Sequence, residues 1–447
     1  MISIGCVFVG LSVYSNTHAE IKFDKISQQH SGIHFNNQIN EDSVHNFLNF
    51  ANDNDLDLYV VSGGNEFDRN SARHRDRLYI NDGRGNFHLS SNLPNIQTSG
   101  LRVIAGDYDN DGDLDLFVGG RVVPGRYPQA PNSYLLNNHH GRFTDVTQQR
   151  AKGIGAIGMV TDADFVDVDN DGDLDLLLVG EWMPITVFEN IDGNFVDVTK
   201  KLGLADSTGW WLSLAHGDFD RDGDTDFVAG NIGLNNKYQP THRQSLSIYA
   251  NDFDGNASLD LVLAINKNHH LLPVRGRQCS AEQVPGLKRK FPTFKAFAEA
   301  DLPSIYSSGK LATALTLKAE IFSHSMIINQ GKKGFVIRPL ANQAQYSPVS
   351  GIVVDDFNLD NHLDILYTGN FYAAEVETVR YDASICGLLL GDGKTGFKPV
   401  EAARSGFVTP KNARDLQLIK LGHGNRRAVI VTNNSDQLQV FSFDSSK

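Results

Sequence analysis

Three stretches of the chain place carboxylates on alternate residues: DYDNDGDLD from Asp107, DVDNDGDLD from Asp167 and DFDRDGDTD from Asp218. Each offers side-chain oxygens at positions 1, 3, 5 and 9, a glycine at 6 for a sharp turn, and a backbone carbonyl at 7. Hard oxygen ligands crowded into a tight loop suit Ca²⁺, which takes roughly six to eight of them. Without a cation, so many carboxylates within a few ångströms would repel one another. The candidate ligands are Asp107, Asp109, Asp111 and Asp115; Asp167, Asp169, Asp171 and Asp175; and Asp218, Asp220, Asp222 and Asp226. Two looser copies add Asp252, Asp254, Asn256 and Asp260, with Ala257 where glycine is expected, and Asp356, Asn358, Asp360 and Asp364, with Asn361 at the turn. The expectation is about three to five Ca²⁺. A further copy from Asn49 has Ala51 and Asn54 at a ligand and the glycine position, and is expected to bind weakly or not at all. An EF-hand is excluded. Its twelfth position calls for Glu, where Val118 and Leu178 stand, and strand-like runs follow the loops.

The elements that hold these loops repeat with them. From Leu101 the order is an apolar run, the acidic loop, LFVGG, a variable loop, SYLLNN, a turn and RFTDVTQ. Each run is short, rich in β-branched or aromatic residues, and bounded by Gly, Asn or Asp, which is the signature of strands. Four strands per unit suggest propeller blades. The loops start at 49, 107, 167, 218, 252 and 356, giving spacings of 58, 60, 51, 34 and 104. The 34 is too short for a blade and the 104 holds an insertion. A last unit, with runs from Asp415, Ala428 and Leu438, has no carboxylates in its GHGNRR loop and lacks a fourth strand. KFDKISQQHSGI from Lys22 resembles RFTDVTQQRAKGI from Arg142 and is expected to supply that strand, closing the ring and removing two open edges. The expected fold is all-β, a propeller of about seven four-stranded blades (six to eight being compatible), forming one domain over 20–447. A small helical insertion is expected at about 271–320, carrying a net +4 from eight Lys and Arg against four Asp and Glu.

Of the 447 residues, 40% are hydrophobic, enough for a sizeable core. The net charge of −13 disfavours nucleic acid, whose phosphates are held by Lys and Arg. Three cysteines make no disulfide framework or zinc site. Residues 2–14 are apolar or small and precede Thr17-His18-Ala19, which reads as a secretory signal over 1–19, with lipid attachment through Cys6 as a second processing option. No stretch is long enough to span a bilayer as a helix. The expected location is outside the cell.

Acidic loops followed by an apolar strand and a G-x-F outer hairpin resemble FG-GAP/VCBS repeats, the calcium-binding propellers of integrin α chains and bacterial surface proteins. More narrowly, GGRVVPGRYP, GEWMPITVF, GWWLSLAHGDFD and GNIGLNNKY resemble exported bacterial relatives of cartilage acidic protein. The resemblance implies calcium-supported structure and surface binding, with no defined reaction. Those relatives carry another acidic-loop unit ahead of the one at Asn49, so a partner chain or domain supplying a missing unit is a further expectation.

Strands that follow the acidic loops run away from them, so their far ends share one face. The loops there place aromatics beside Arg, Asn and Glu, a mixture suited to a glycan or an extracellular protein. The candidate ligand-binding residues are Arg121, Arg126, Tyr127, Glu181, Trp182, Asn235, Asn236, Tyr238 and Tyr372. No G-x-S-x-G elbow or H-E-x-x-H motif occurs, and GDGKTG from Gly391 reads as a hairpin turn. The reading is a non-catalytic binding module. The alternatives are a glycan-processing enzyme, for which Glu181 or Glu375 would be the acidic group, and a structural fragment of a larger surface protein.

Overall fold

The computed structural model describes residues 22–26, 44–50, 56–267, 270–374, 378–421 and 426–444. The signal and Cys6 readings, Ala51, Asn54 and Glu375 lie outside the described residues. Seven antiparallel sheets form, and six of them follow the blade order in which four strands pair in sequence. The first blade is Val44–Phe50, Asp57–Gly63, Arg77–Asn81 and Phe87–Leu89. The second is Gly100–Gly106, Asp115–Gly120, Tyr134–His139 and Arg142–Asp145. The third is Met159–Val166, Asp175–Met183, Thr186–Ile191 and Asn194–Asp197, with Gly209–Trp210 paired to its second strand. The fifth is Val349–Asp355, Asp364–Gly369, Gly387–Gly391 and Phe397–Val400.

The fourth blade is split. Its first strands, Ser213–Gly217 and Asp226–Gly230, pair onward with Ser325–Asn329 and Phe335–Pro339. Everything between them is an inserted sheet with five short helices. That sheet is Leu246–Asn251, Asp260–Lys267, His270–Pro273 and Leu315–Ala319, the last lying beside the first. The 34-residue spacing, too short for a blade, has its explanation here: the unit at Asp252 is part of an insertion. Among the described residues the chain builds six blades and a seventh sheet outside their sequence. Buried His324 pins the neck of the insertion: Asn231 N–H donates to its Nδ1 (2.8 Å) and its Nε2 bonds Ser347 O (2.9 Å).

The sixth blade confirms the expected exchange of chain ends. Ala413–Lys420, Arg426–Asn433 and Gln439–Asp444 are completed by Asp24–Ile26 from the other end of the chain. Phe23 anchors that strand against Phe357, Phe407 and Phe443, with ring centroids 5.0–5.7 Å apart. First strands of successive blades touch in order around the fold. They share an axis: Arg102 of the second blade pairs with Asp162 of the third (2.7 Å), and Asp415 of the sixth adds to the field that raises its pKa. The core lies between blades, where branched and aromatic residues from facing sheets interlock. Glycine ends the second strand where blades meet most closely. A side chain at Gly63 would strike the backbone of Gly100, and one at Gly230 the backbone of Val349.

Candidate functional site

Each acidic loop joins the first strand of its sheet to the second. At position 9 the carboxylate is buried and bonds in two directions. Asp115 accepts from Tyr108 N (3.4 Å) within its loop and from Asn138 N (2.7 Å) on the third strand. Asp175 does the same with Val168 N and Asn190 N, Asp226 with Phe219 N and Asn329 N, and Asp364 with Phe357 N and Gly391 N. Position 1 accepts from the N–H groups at the turn, as Asp107 does from Asp111 (3.1 Å) and Gly112 (3.0 Å). Position 6 is left-handed in all five loops: Gly112, Gly172, Gly223, Ala257 and Asn361 have φ between 67° and 95°. At Gly112 a Cβ would meet nothing, so conformation alone selects glycine there.

This wiring brings one oxygen from each of Asp107, Asp109 and Asp115 within 4.8 Å of the others. The same holds for Asp167, Asp169 and Asp175, for Asp218, Asp220 and Asp226, and for Asp252, Asp254 and Asp260. These groups could hold a metal ion. Two observations fit the carboxylates to a cation: Asp109 Oδ1 and Asp220 Oδ1 are buried without a hydrogen-bond partner, an arrangement that costs free energy unless something is bound. Burial drives the pKa of the position 9 groups up, to about 7 for Asp115, Asp175 and Asp364 and about 6 for Asp226, against the pull of their backbone hydrogen bonds. Burial also raises Asp109, Asp169 and Asp220, with the neighbouring carboxylates adding to it.

Position 5 also caps the turn. Asp111, Asp171 and Asp222 each accept from the N–H two residues on (2.9–3.0 Å), capping the turn. Asn256 and Asp360 cap Ser258 and His362 in the same way. The loop at Asp356 has only Asn358 at position 3, where it bonds Asp360 from both ends of its amide. Sequence reading missed two further devices. The position 4 amide of one loop reaches position 7 of the next: Asn110 donates to Asp173 (3.0 Å) and Asn170 to Asp224 (2.9 Å). An asparagine also closes the third strand. Asn190 donates to Tyr108 O and Leu174 O, and Asn329 to Val168 O and Thr225 O, tying each blade to the one before. The visible signal was an apolar run ending in Asn before a turn, in LYIN, LLNN, FEN and IIN.

On the opposite ends of the strands, four of the expected ligand residues form one network. Arg121 donates to Glu181 Oε1 (2.6 Å), Tyr127 OH to Oε2 (3.2 Å), and Trp182 Nε1–H to the Tyr127 hydroxyl (2.6 Å). Burial, then the Glu181 charge, raises the Tyr127 pKa far above the ordinary phenol range. Trp182 has φ 61°, a strained conformation for a bulky residue, costing on the order of 1–3 kcal/mol. Tyr127, Trp182 and Tyr238 line one cavity with Trp210, which was not expected. The others fall elsewhere. Arg126 lines an open cleft with residues 65–71; Asn235 and Asn236 bond Tyr346 O and Gly233 O; and Tyr372 bonds Pro410 O under Arg380.

An FG-GAP-like repeat family matches residues 49–118 and 167–229. No curated protein matches the chain. Among solved structures, the V. cholerae biofilm matrix protein Bap1 is 11% identical, with 95% of this chain and 87% of that chain covered and a TM-score of 0.29. Trypanosoma rangeli sialidase, in complex with the inhibitor DANA, is 8% identical, with 91% and 55% covered and a TM-score of 0.32. Among the described residues no helix is long and apolar enough to cross a membrane.

Proposed function

We propose that this FG-GAP-repeat β-propeller is an extracellular binding module, stabilised by Ca²⁺ on one edge and binding a glycan or protein on the other. The observation that carries the reading is the threefold carboxylate group repeated in register at Asp107, Asp167 and Asp218. Asp107, Asp109 and Asp115 and their counterparts would hold the ion, with Asp111, Asp171 and Asp222 shaping the turn. The Asp252 loop offers a fourth group, and the Asp356 loop a weaker fifth. Calcium would supply charge neutralisation and cross-linking of the first two strands. No step of chemistry is assigned to it. On the far face, Glu181 is held by Arg121 and Tyr127 and acts as the support of an aromatic wall.

The test is a panel of immobilised polysaccharides and extracellular matrix proteins, scored for retention of this protein and for released product. Saturable retention without product is expected. Steady turnover of a glycan would replace this reading with a glycan-processing enzyme, and retention by nothing in the panel would remove the binding role.

A further inference from the structure

The cavity beside Trp182 is walled by three parts of the chain that lie far apart in sequence. Trp182 and Trp210 come from the third blade, Leu261 and Leu263 from the inserted sheet, and Phe371 and Tyr381 from the loop after the fifth blade's second strand. The inserted sheet is apolar on both faces for this reason. Val262 and Ala264 are buried under the helices, while Leu261 and Leu263 stay partly exposed toward the cavity. The cavity holds about 220 Å³, below the roughly 300–1,000 Å³ of sites that take drug-sized molecules. It has room for one ring.

The walls select the kind of ring. Trp182 meets Trp210 at 75° and Trp210 meets Tyr238 at 70°, edge to face. Such walls offer both faces and edges, against which the C–H groups on the several sides of a puckered ring can pack. The Nε1–H of Trp210 is itself buried, so the ring's carbon face and edge, and not its donor, border the cavity. Arg275 lines the wall, Lys237 sits 2.7 Å from Thr378 at the rim, and no Asp or Glu is among the lining residues. Cationic groups at the wall and rim, with no carboxylate beside them, favour an anionic ligand.

We infer that this cavity binds one sugar ring bearing a carboxylate, a uronic acid unit of an acidic polysaccharide. The inference rests on the glycan reading of the function and narrows it. Two of the three tryptophans line the cavity and the third, Trp211, is fully buried in the core, so intrinsic fluorescence reports occupancy. The probes are trigalacturonate and its methyl ester, which share rings and differ in charge. A saturable fluorescence change is expected with the acid, and binding at least about tenfold weaker with the ester, the order of one charge-assisted hydrogen bond. Arg275→Gln should close that gap, and Tyr381→Ala should weaken both ligands, with the melting midpoint in calcium unchanged in each.

Equal affinity of the wild type for acid and ester overturns the inference without any variant. So does binding that survives both substitutions. Retention on polysaccharide with no fluorescence change removes this cavity but leaves the binding module standing, whereas retention on no glycan at all removes glycan binding and the cavity together.

Discussion

The second to fourth blades and the sixth are the same four-stranded sheet held by different means. In the former, buried carboxylates of Asp115, Asp175 and Asp226 staple the second strand to the third, and an acidic loop crowns each hairpin. The sixth blade has no carboxylates in its corresponding loop, whose residues 422–425 lie outside the described ones. Its sheet leans instead on a cluster of Phe23, Phe357, Phe407, Phe441 and Phe443. What the acidic loops add is electrostatic, conditional on solution chemistry, and chained from blade to blade through Asn110 and Asn170.

The largest expected effect separates the two means. Phe443→Ala should cost about 3–5 kcal/mol, by the same amount in calcium and in chelator. Asp109→Ala should destabilise in calcium and be close to neutral in chelator, because there it also removes a repelling charge. Chemical denaturation of both variants under both conditions checks this, and an Asp109→Ala effect that ignores calcium breaks the comparison.

Acidity should act with opposite signs on the two forms. Burial raises Asp115, Asp175, Asp226 and Asp364 from the ordinary carboxylate range to about 6 or 7 in the folded, metal-free protein. Between about pH 4 and 7 that form binds more protons than the unfolded chain, so these groups lose their stabilising contribution as pH rises. Chelated protein should therefore melt higher at pH 5.5 than at pH 7.5. Calcium-loaded protein should melt lower, since protons compete with the ion for the same oxygens. Parallel melting curves in the two buffers check this.

A smaller effect concerns the inserted sheet. Ala257 holds φ 67° where the ring loops have glycine or asparagine. Ala257→Gly should stabilise by roughly 0.5–1 kcal/mol, the relief of strain less the entropy glycine adds to the unfolded chain. Gly112→Ala should destabilise by a similar amount.

Much of this was legible in the sequence because alternating carboxylates, glycine and a following apolar run form a local unit. The pairing of Asp24–Ile26 with the last blade was legible through the likeness of the stretches around Phe23 and Phe143. The split fourth blade was not. DFDGNASLD makes the same hairpin whether it stands in the ring or in an insertion, so local pattern does not distinguish them. The distinguishing signal lay 103 residues on from Asp226, in Asn329, which bonds the Asp226 loop as Asn190 bonds the Asp175 loop. In the inserted sheet a helix side chain, Gln283, pairs instead with the backbone of Leu261. Trp182, Tyr127 and Tyr238 were recognised as a group, but Trp210 and Phe371 joined them only through long-range folding.

The most direct test is calcium titration of chelator-stripped protein by calorimetry. At least three Ca²⁺ per chain are expected, with one fewer in Asp109→Ala and no change in Phe443→Ala. Zero bound calcium, or a stoichiometry unaltered by Asp109→Ala, would contradict it.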